Sequence, residues 1–178
     1  MLEAMKKAGL VSLKYGVESG DQEILNRAKK GLDLNKLRDV VKMTKEMGIK
    51  VHLTFMFGLP GETWETVRKT INLALELDPD SIQFSICTPF PGTEYFEWAE
   101  KNGFLLTKDW SKYDGASTAV IRTESMSKED LEEALEMARR IWKKHTLKKN
   151  LKERPIECIL KGLRHPVEGV KALWRLVC

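Results

Sequence analysis

Val51-His-Leu-Thr-Phe-Met-Phe-Gly-Leu-Pro-Gly-Glu-Thr63 reads as a strand, a sharp turn and the opening of a helix. Val51, Leu53, Phe55 and Phe57 alternate with His52, Thr54, Met56 and Gly58, the period of two that belongs to an extended chain. Gly58-Leu-Pro-Gly-Glu62 then bends it, since glycine reaches backbone conformations closed to other residues and proline supplies no amide donor. Beyond Thr63, the residues Trp64, Val67, Ile71, Ala74 and Leu75 share one helical face. Such a strand-to-helix turn is where α/β proteins place ligands, because backbone groups are exposed at the bend.

The same unit occurs on either side. Upstream, Val11, Leu13, Tyr15 and Val17 alternate with Ser12, Lys14, Gly16 and Glu18, and Glu18-Ser-Gly-Asp21 leads into a short helix stopped by Gly31. Asp33 caps a further helix with Leu34, Leu37, Val41 and Thr44 on one side. Downstream, residues 81–88 form a strand in which Ile82, Phe84 and Ile86 oppose Gln83, Ser85 and Cys87, followed by the turn Pro89-Phe-Pro-Gly-Thr93 and a helix to Asn102. Strands alternating with helices predict βα repeats and a parallel sheet. Each strand has one apolar and one polar face, whereas a sheet covered on both sides reads as continuous apolar runs. The expectation is therefore an α/β fold, a partial (β/α) barrel with helices outside and a polar interior. Residues 1–103 form that part and 104–178 a mainly helical extension.

With 42% apolar and 31% charged residues in 178, the chain has the composition of a folded globular protein. No apolar run reaches the length needed to cross a bilayer. Cys87, Cys158 and Cys178 are odd in number and far apart, which argues against a disulfide framework and for a reducing, cytoplasmic setting. They also make no compact thiolate metal site, so no metal ligands are assigned in this chain. Residues 143–178 hold a surplus of seven positive charges, leaving the remainder at −3. Ser127 and Asp130 suit a capping box, and Leu131, Ala134, Leu135, Ala138, Ile141, Trp142 and His145 then keep helical spacing. Residues 155–178 read as a basic amphipathic helix that either packs on protein or touches a membrane surface peripherally. No aromatic residues interleave the basic ones as a nucleic-acid platform requires, so no nucleic-acid partner is expected.

Gly16-Val-Glu-Ser-Gly20, Thr54-x-Met56-x-Gly58-Leu-Pro-Gly-Glu62-Thr63 and Thr88-Pro-Phe-Pro-Gly-Thr93, in this order, resemble the later half of the radical S-adenosylmethionine (SAM) core barrel. The likeness is greatest to the cobalamin-binding group of that superfamily. The resemblance implies SAM, a 4Fe-4S cluster and, in that group, cobalamin as cofactors. It puts Glu18 at the SAM ribose, with Gly16 and Ser19 beside it. Thr54, Met56 and Gly58 fall on the positions that pack on adenine, threonine and methionine standing where the family has glycine and isoleucine. Thr88 lines the adenine, with Phe90 either core or ligand contact, and Glu62 caps the helix that follows. Lys14, His52, Gln83 and Ser85 would line the cavity of a small-molecule substrate, and His52 is the candidate for proton transfer.

The family's Cys-x-x-x-Cys-x-x-Cys motif is absent from this chain, which begins about where the family's fourth strand begins. Its cluster ligands are therefore expected on a missing amino-terminal half or a partner subunit, and the chain alone is expected to be inactive. An intact enzyme of this kind would cleave SAM to a 5′-deoxyadenosyl radical, in the service of methyl transfer or cyclisation. The alternative reading is a non-catalytic half-barrel that binds a ligand or docks on another protein.

Overall fold

A computed structural model describes residues 1–153, so the reading of 155–178 as an amphipathic helix lies outside the described residues. The elements run α1 (Leu2–Lys7), β1 (Ser12–Glu18), α2 (Gln22–Arg27), α3 (Leu34–Glu46), β2 (Lys50–Phe57), α4 (Trp64–Leu77), β3 (Ser81–Ile86), α5 (Glu94–Lys101) and α6 (Lys128–Glu153). The strands form a parallel sheet in the order β1-β2-β3, with helices in the connections, as the alternation predicts.

Local chemistry sets the helix ends. The Asp33 carboxylate accepts from the amides of Asn35 at 2.8 Å and Lys36 at 3.1 Å, and α3 buries Leu34, Leu37, Val41 and Thr44. The cap of α4 is Thr63, which exchanges hydrogen bonds with Thr66. Glu62 is not the cap; it lies one residue too early, fully buried beneath the turn. Leu73 and Leu77 complete the buried side of α4, while Leu75 is half-buried.

Val51, Leu53, Phe55 and Phe57 are 0% exposed, and Phe84 stacks beside Phe55 and Phe57 with centroids 5.7 and 6.0 Å away. Each such side chain withdrawn from water contributes about 1.5–3 kcal/mol. Val11 departs from the expected inward row: it precedes β1 and is 72% exposed. Only β2 pairs with β1 among the described residues, so β1 presents an open edge.

The compact unit does not end at 103 but continues from Met1 to Glu136. Leu105 and Ile121 form an antiparallel bridge, the Ile86 amide donates to the Gly115 carbonyl at 2.8 Å, and Ala119, Val120, Ile121 and Met126 are buried. Helix α6 begins with the expected capping box, in which the Ser127 hydroxyl accepts from the Asp130 amide at 3.1 Å. A second unit starts at Met137; within it the rings of Trp142 and His145 lie 5.2 Å apart. None of the described helices is long and apolar enough to cross a membrane.

Candidate functional site

Strand register assembles the polar face in rows. Lys14, His52 and Ser81 are neighbours across the sheet, then Gly16, Thr54 and Gln83; Met56 pairs with Ser85. Between Gly16 and Glu18 the register of β1 slips, and Glu18 takes a left-handed backbone with φ 69°. That bulge turns the carboxylate back over Gly16: a Cβ on Gly16 would lie 2.7 Å from Glu18 Oε1 and 3.2 Å from Lys30 Nζ. A methyl there would displace the ends of both side chains.

Lys30 donates to Glu18 Oε1 at 2.7 Å, and the Glu18 side chain is 16% exposed. Glu18 Oε2 is buried with no hydrogen-bond partner. A buried carboxylate oxygen with open lone pairs can accept from a hydroxyl brought to it. Asp21 caps α2, accepting from the amides of Glu23 and Ile24 at 2.9 and 3.2 Å, so Glu18 is not engaged in capping. Lys30 had no local pattern to announce it, since its role depends on a contact made across the turn.

Ser19 departs from its expected place at Glu18. It is fully buried, lies 3.4 Å from the Thr70 hydroxyl of α4 and accepts from the Asp21 amide at 3.2 Å. It docks the turn onto α4. Met56 packs against the buried trio Ile24, Leu59 and Cys87, with Ala28 and Tyr95 at its margin. The Tyr95 hydroxyl donates to the Gly58 carbonyl, a tie from α5 to the turn that sequence periodicity does not reveal. Gly58 holds φ 92°, with Ile121 and Leu131 closing on the position of an absent side chain.

Thr88 is half-buried, its hydroxyl 3.4 Å from the Ile86 carbonyl; Phe90 is 55% exposed and leans on Tyr113. Ser85 donates to the Phe55 carbonyl at 3.3 Å, whereas Lys14 and Gln83 are exposed. His52 Nδ1 lies 2.7 Å from Ser81 Oγ, and burial, then the nearby Lys14 charge, holds the imidazole below its ordinary value.

No group of three or more His, Cys, Asp or Glu side chains suited to a metal occurs among the described residues. Burial pushes the Cys87 thiol up to about 12, the opposite of what a thiolate ligand requires. The described residues thus do not fit an iron–sulfur cluster. For an adenosyl group they offer an orphaned acceptor, Glu18 Oε2, and a half-buried methionine, Met56, both towards the carboxy-terminal ends of neighbouring parallel strands.

The family model described as the radical SAM superfamily matches residues 1–74. The chain is 41% identical over 111 residues to an uncharacterized methyltransferase of Pyrococcus horikoshii, covering 62% of this chain and 24% of that one. It is 27% identical over 131 residues to the anaerobic magnesium-protoporphyrin IX monomethyl ester cyclase of Rubrivivax gelatinosus, covering 74% and 23%. This chain spans about a quarter of the length of the curated relatives it matches. Among solved structures it is similar to the radical SAM methyltransferase TsrM of Kitasatospora setae with cobalamin and a [4Fe-4S] cluster bound. The TM-score is 0.52 at 28% identity, over 61% of this chain and 20% of the other. On these findings the chain is similar, over part of its length, to members of the radical SAM superfamily, among them one solved with cobalamin bound.

Proposed function

We propose that the polar face receives the adenosyl portion of SAM within an enzyme whose cluster ligands lie outside this chain. The observation that carries this reading is Glu18: its unpartnered Oε2, held by the bulge and by Lys30, can accept from the ribose hydroxyls. Met56 would give adenine a polarizable apolar contact, with Thr54, Gly58 and Thr88 bordering it. SAM, when bound in a complete enzyme, supplies the radical or the methyl group. The part played by this chain is to orient it and to shield it from water. The names of the relatives point to methyl transfer or cyclisation of a small organic substrate, with cobalamin as a further cofactor. The open edge of β1 suits the strands of a missing segment or subunit, which would complete the barrel and bring the cluster. Residues 155–178 would serve docking, to protein or to a membrane surface.

Calorimetric titration with SAM tests the reading. Glu18→Ala should weaken binding by about 10- to 100-fold, the worth of a lost hydrogen bond to a charged group. Thermal unfolding of the variant checks that the fold survives. An unchanged affinity, or no binding by the parent chain, would sink the assignment. A second expectation concerns catalysis. Reconstituted with iron, sulphide and reductant, the chain alone should form no 5′-deoxyadenosine from SAM above a protein-free blank; turnover would show that cluster ligands are present after all.

A further inference from the structure

Towards the amino-terminal ends of the strands, Lys14, His52 and Ser81 form one row across the polar face. Neighbouring strands stand about 4.8 Å apart, so the three side chains leave the sheet close together. His52 Nδ1 is engaged with Ser81 Oγ at 2.7 Å. When Nδ1 accepts from that hydroxyl, Nε2 carries the ring proton and is a donor. Lys14 has no ion pair among the described residues: the acid on its own strand face, Glu18, is taken by Lys30. The remaining side chains of the face, Ser12, Thr54, Met56, Gln83 and Ser85, are uncharged, apart from exposed Lys50 one row further along. Lys14, Lys30 and Lys50 against Glu18 leave the face with uncompensated positive charge, and of the two cations outside the Glu18 pair Lys14 stands in the row of His52. The imidazole feels it, since Lys14 disfavours the charged ring.

We infer that Lys14 and the His52–Ser81 pair form a seat for an anionic group of the substrate, a carboxylate or a phosphate. This rests on the reading that the polar face lines the reaction cavity, and it adds the substrate's charge class to it. The Glu18 carboxylate is turned back over Gly16, two residues beyond Lys14, so the seat lies roughly 7 Å along the strand from the proposed ribose acceptor. The substrate would reach from the anion seat at one end towards the adenosyl group at the other. The Lys14 ammonium supplies charge, His52 Nε2–H supplies direction, and Ser81 fixes the ring.

The test follows the His52 ring by NMR in the full chain, titrating pH in chloride, phosphate or acetate at matched ionic strength. An anion on the seat favours the imidazolium, so His52 should titrate higher by about one unit, saturably. His145 and His165 serve as internal references. Lys14→Met should abolish the rise, and Ser81→Ala should reduce it; Lys14 is exposed, and thermal unfolding confirms that both variants fold. Saturation by phosphate alone marks a phosphate-bearing substrate, and by acetate alone a carboxylate. No rise with either, a non-saturating rise, or an equal rise at all three histidines would overturn the inference. SAM affinity is read by calorimetry on separate residues, so failure of the adenosyl reading and failure of the anion seat are told apart.

Discussion

Replacing Gly20 by alanine should lower the unfolding free energy by about 3 kcal/mol or more, one of the largest single-methyl effects available in this chain. The added Cβ would stand 2.6 Å from both the Lys69 carbonyl oxygen and the Thr70 Cα. Neither is the end of a flexible side chain; both are backbone of α4, so relief requires the helix to move. That movement also strains the Gly20 amide's hydrogen bond to the Thr70 hydroxyl, 2.8 Å, and the Lys69–Asp21 ion pair, 2.9 Å. Because the turn aims Glu18, SAM affinity should fall along with stability. Gly31→Ala is the comparison. There φ is +64° and nothing lies within 4 Å of the new methyl, so the cost is backbone strain of about 1–2 kcal/mol. Urea unfolding of the two variants separates crowding from conformational strain. A Gly20→Ala chain within about 1 kcal/mol of the parent would show that the turn and α4 adjust freely.

The same turn shows where sequence reasoning succeeds and where it stops. Alternation in β1, β2 and β3 sorted apolar from polar faces because one face is mostly buried and the other only partly; Phe55 and Phe84 against Thr54 and Gln83 are plain in the letters. Caps at Asp33 and Ser127 were legible for a similar reason, since the partner amides lie two or three residues away. Contacts closed across many residues leave no such trace. Lys30 meets Glu18, and Ser19 turns to Thr70, only after Gly20 has let two backbones touch. Val11 keeps the alternation but precedes the strand, and pattern alone does not say where pairing begins. Residues 104–127 lack a sustained period, so their membership of the first unit through Leu105, Gly115 and Ile121 was hidden. An acid at a helix start reads as a cap because the helix dipole favours it there. Thr63 holds that place instead, and Glu62 is left inside.

Burial of Glu62 has an energetic consequence. Its side chain accepts from the Thr66 hydroxyl, its Oε2 has no partner, and desolvation, the largest influence, pushes the carboxyl up to about 7. Hydrogen bonds from Thr66, Gly58 and Leu59 pull the other way, and Asp21 adds repulsion. The folded chain therefore keeps a proton that the unfolded chain gives up near the ordinary carboxylate value of 4.5. Stability from this group is fully present below that value, declines as pH rises, and is lost above about 7. The separation between the two values amounts to about 3 kcal/mol. Asp21, Asp33, Asp109 and Asp130 are held below their ordinary value, so their contributions vary at more acid pH. His52, held low, acts in the opposite sense below 6.5. The difference between the parent and Glu62→Gln cancels these shared terms. Glutamine keeps the acceptor for Thr66 and carries no charge, so the variant should match the parent near pH 4 and exceed it by about 3 kcal/mol at pH 8. Urea unfolding at intervals from pH 4 to 8 measures the gap. Parallel stability curves would mean that Glu62 is ionised in the folded chain at neutral pH. An opening gap would mean that the turn after β2, which holds Gly58 beside Met56, loosens as pH rises through neutrality, and SAM affinity should then decline over the same range in the parent and not in Glu62→Gln.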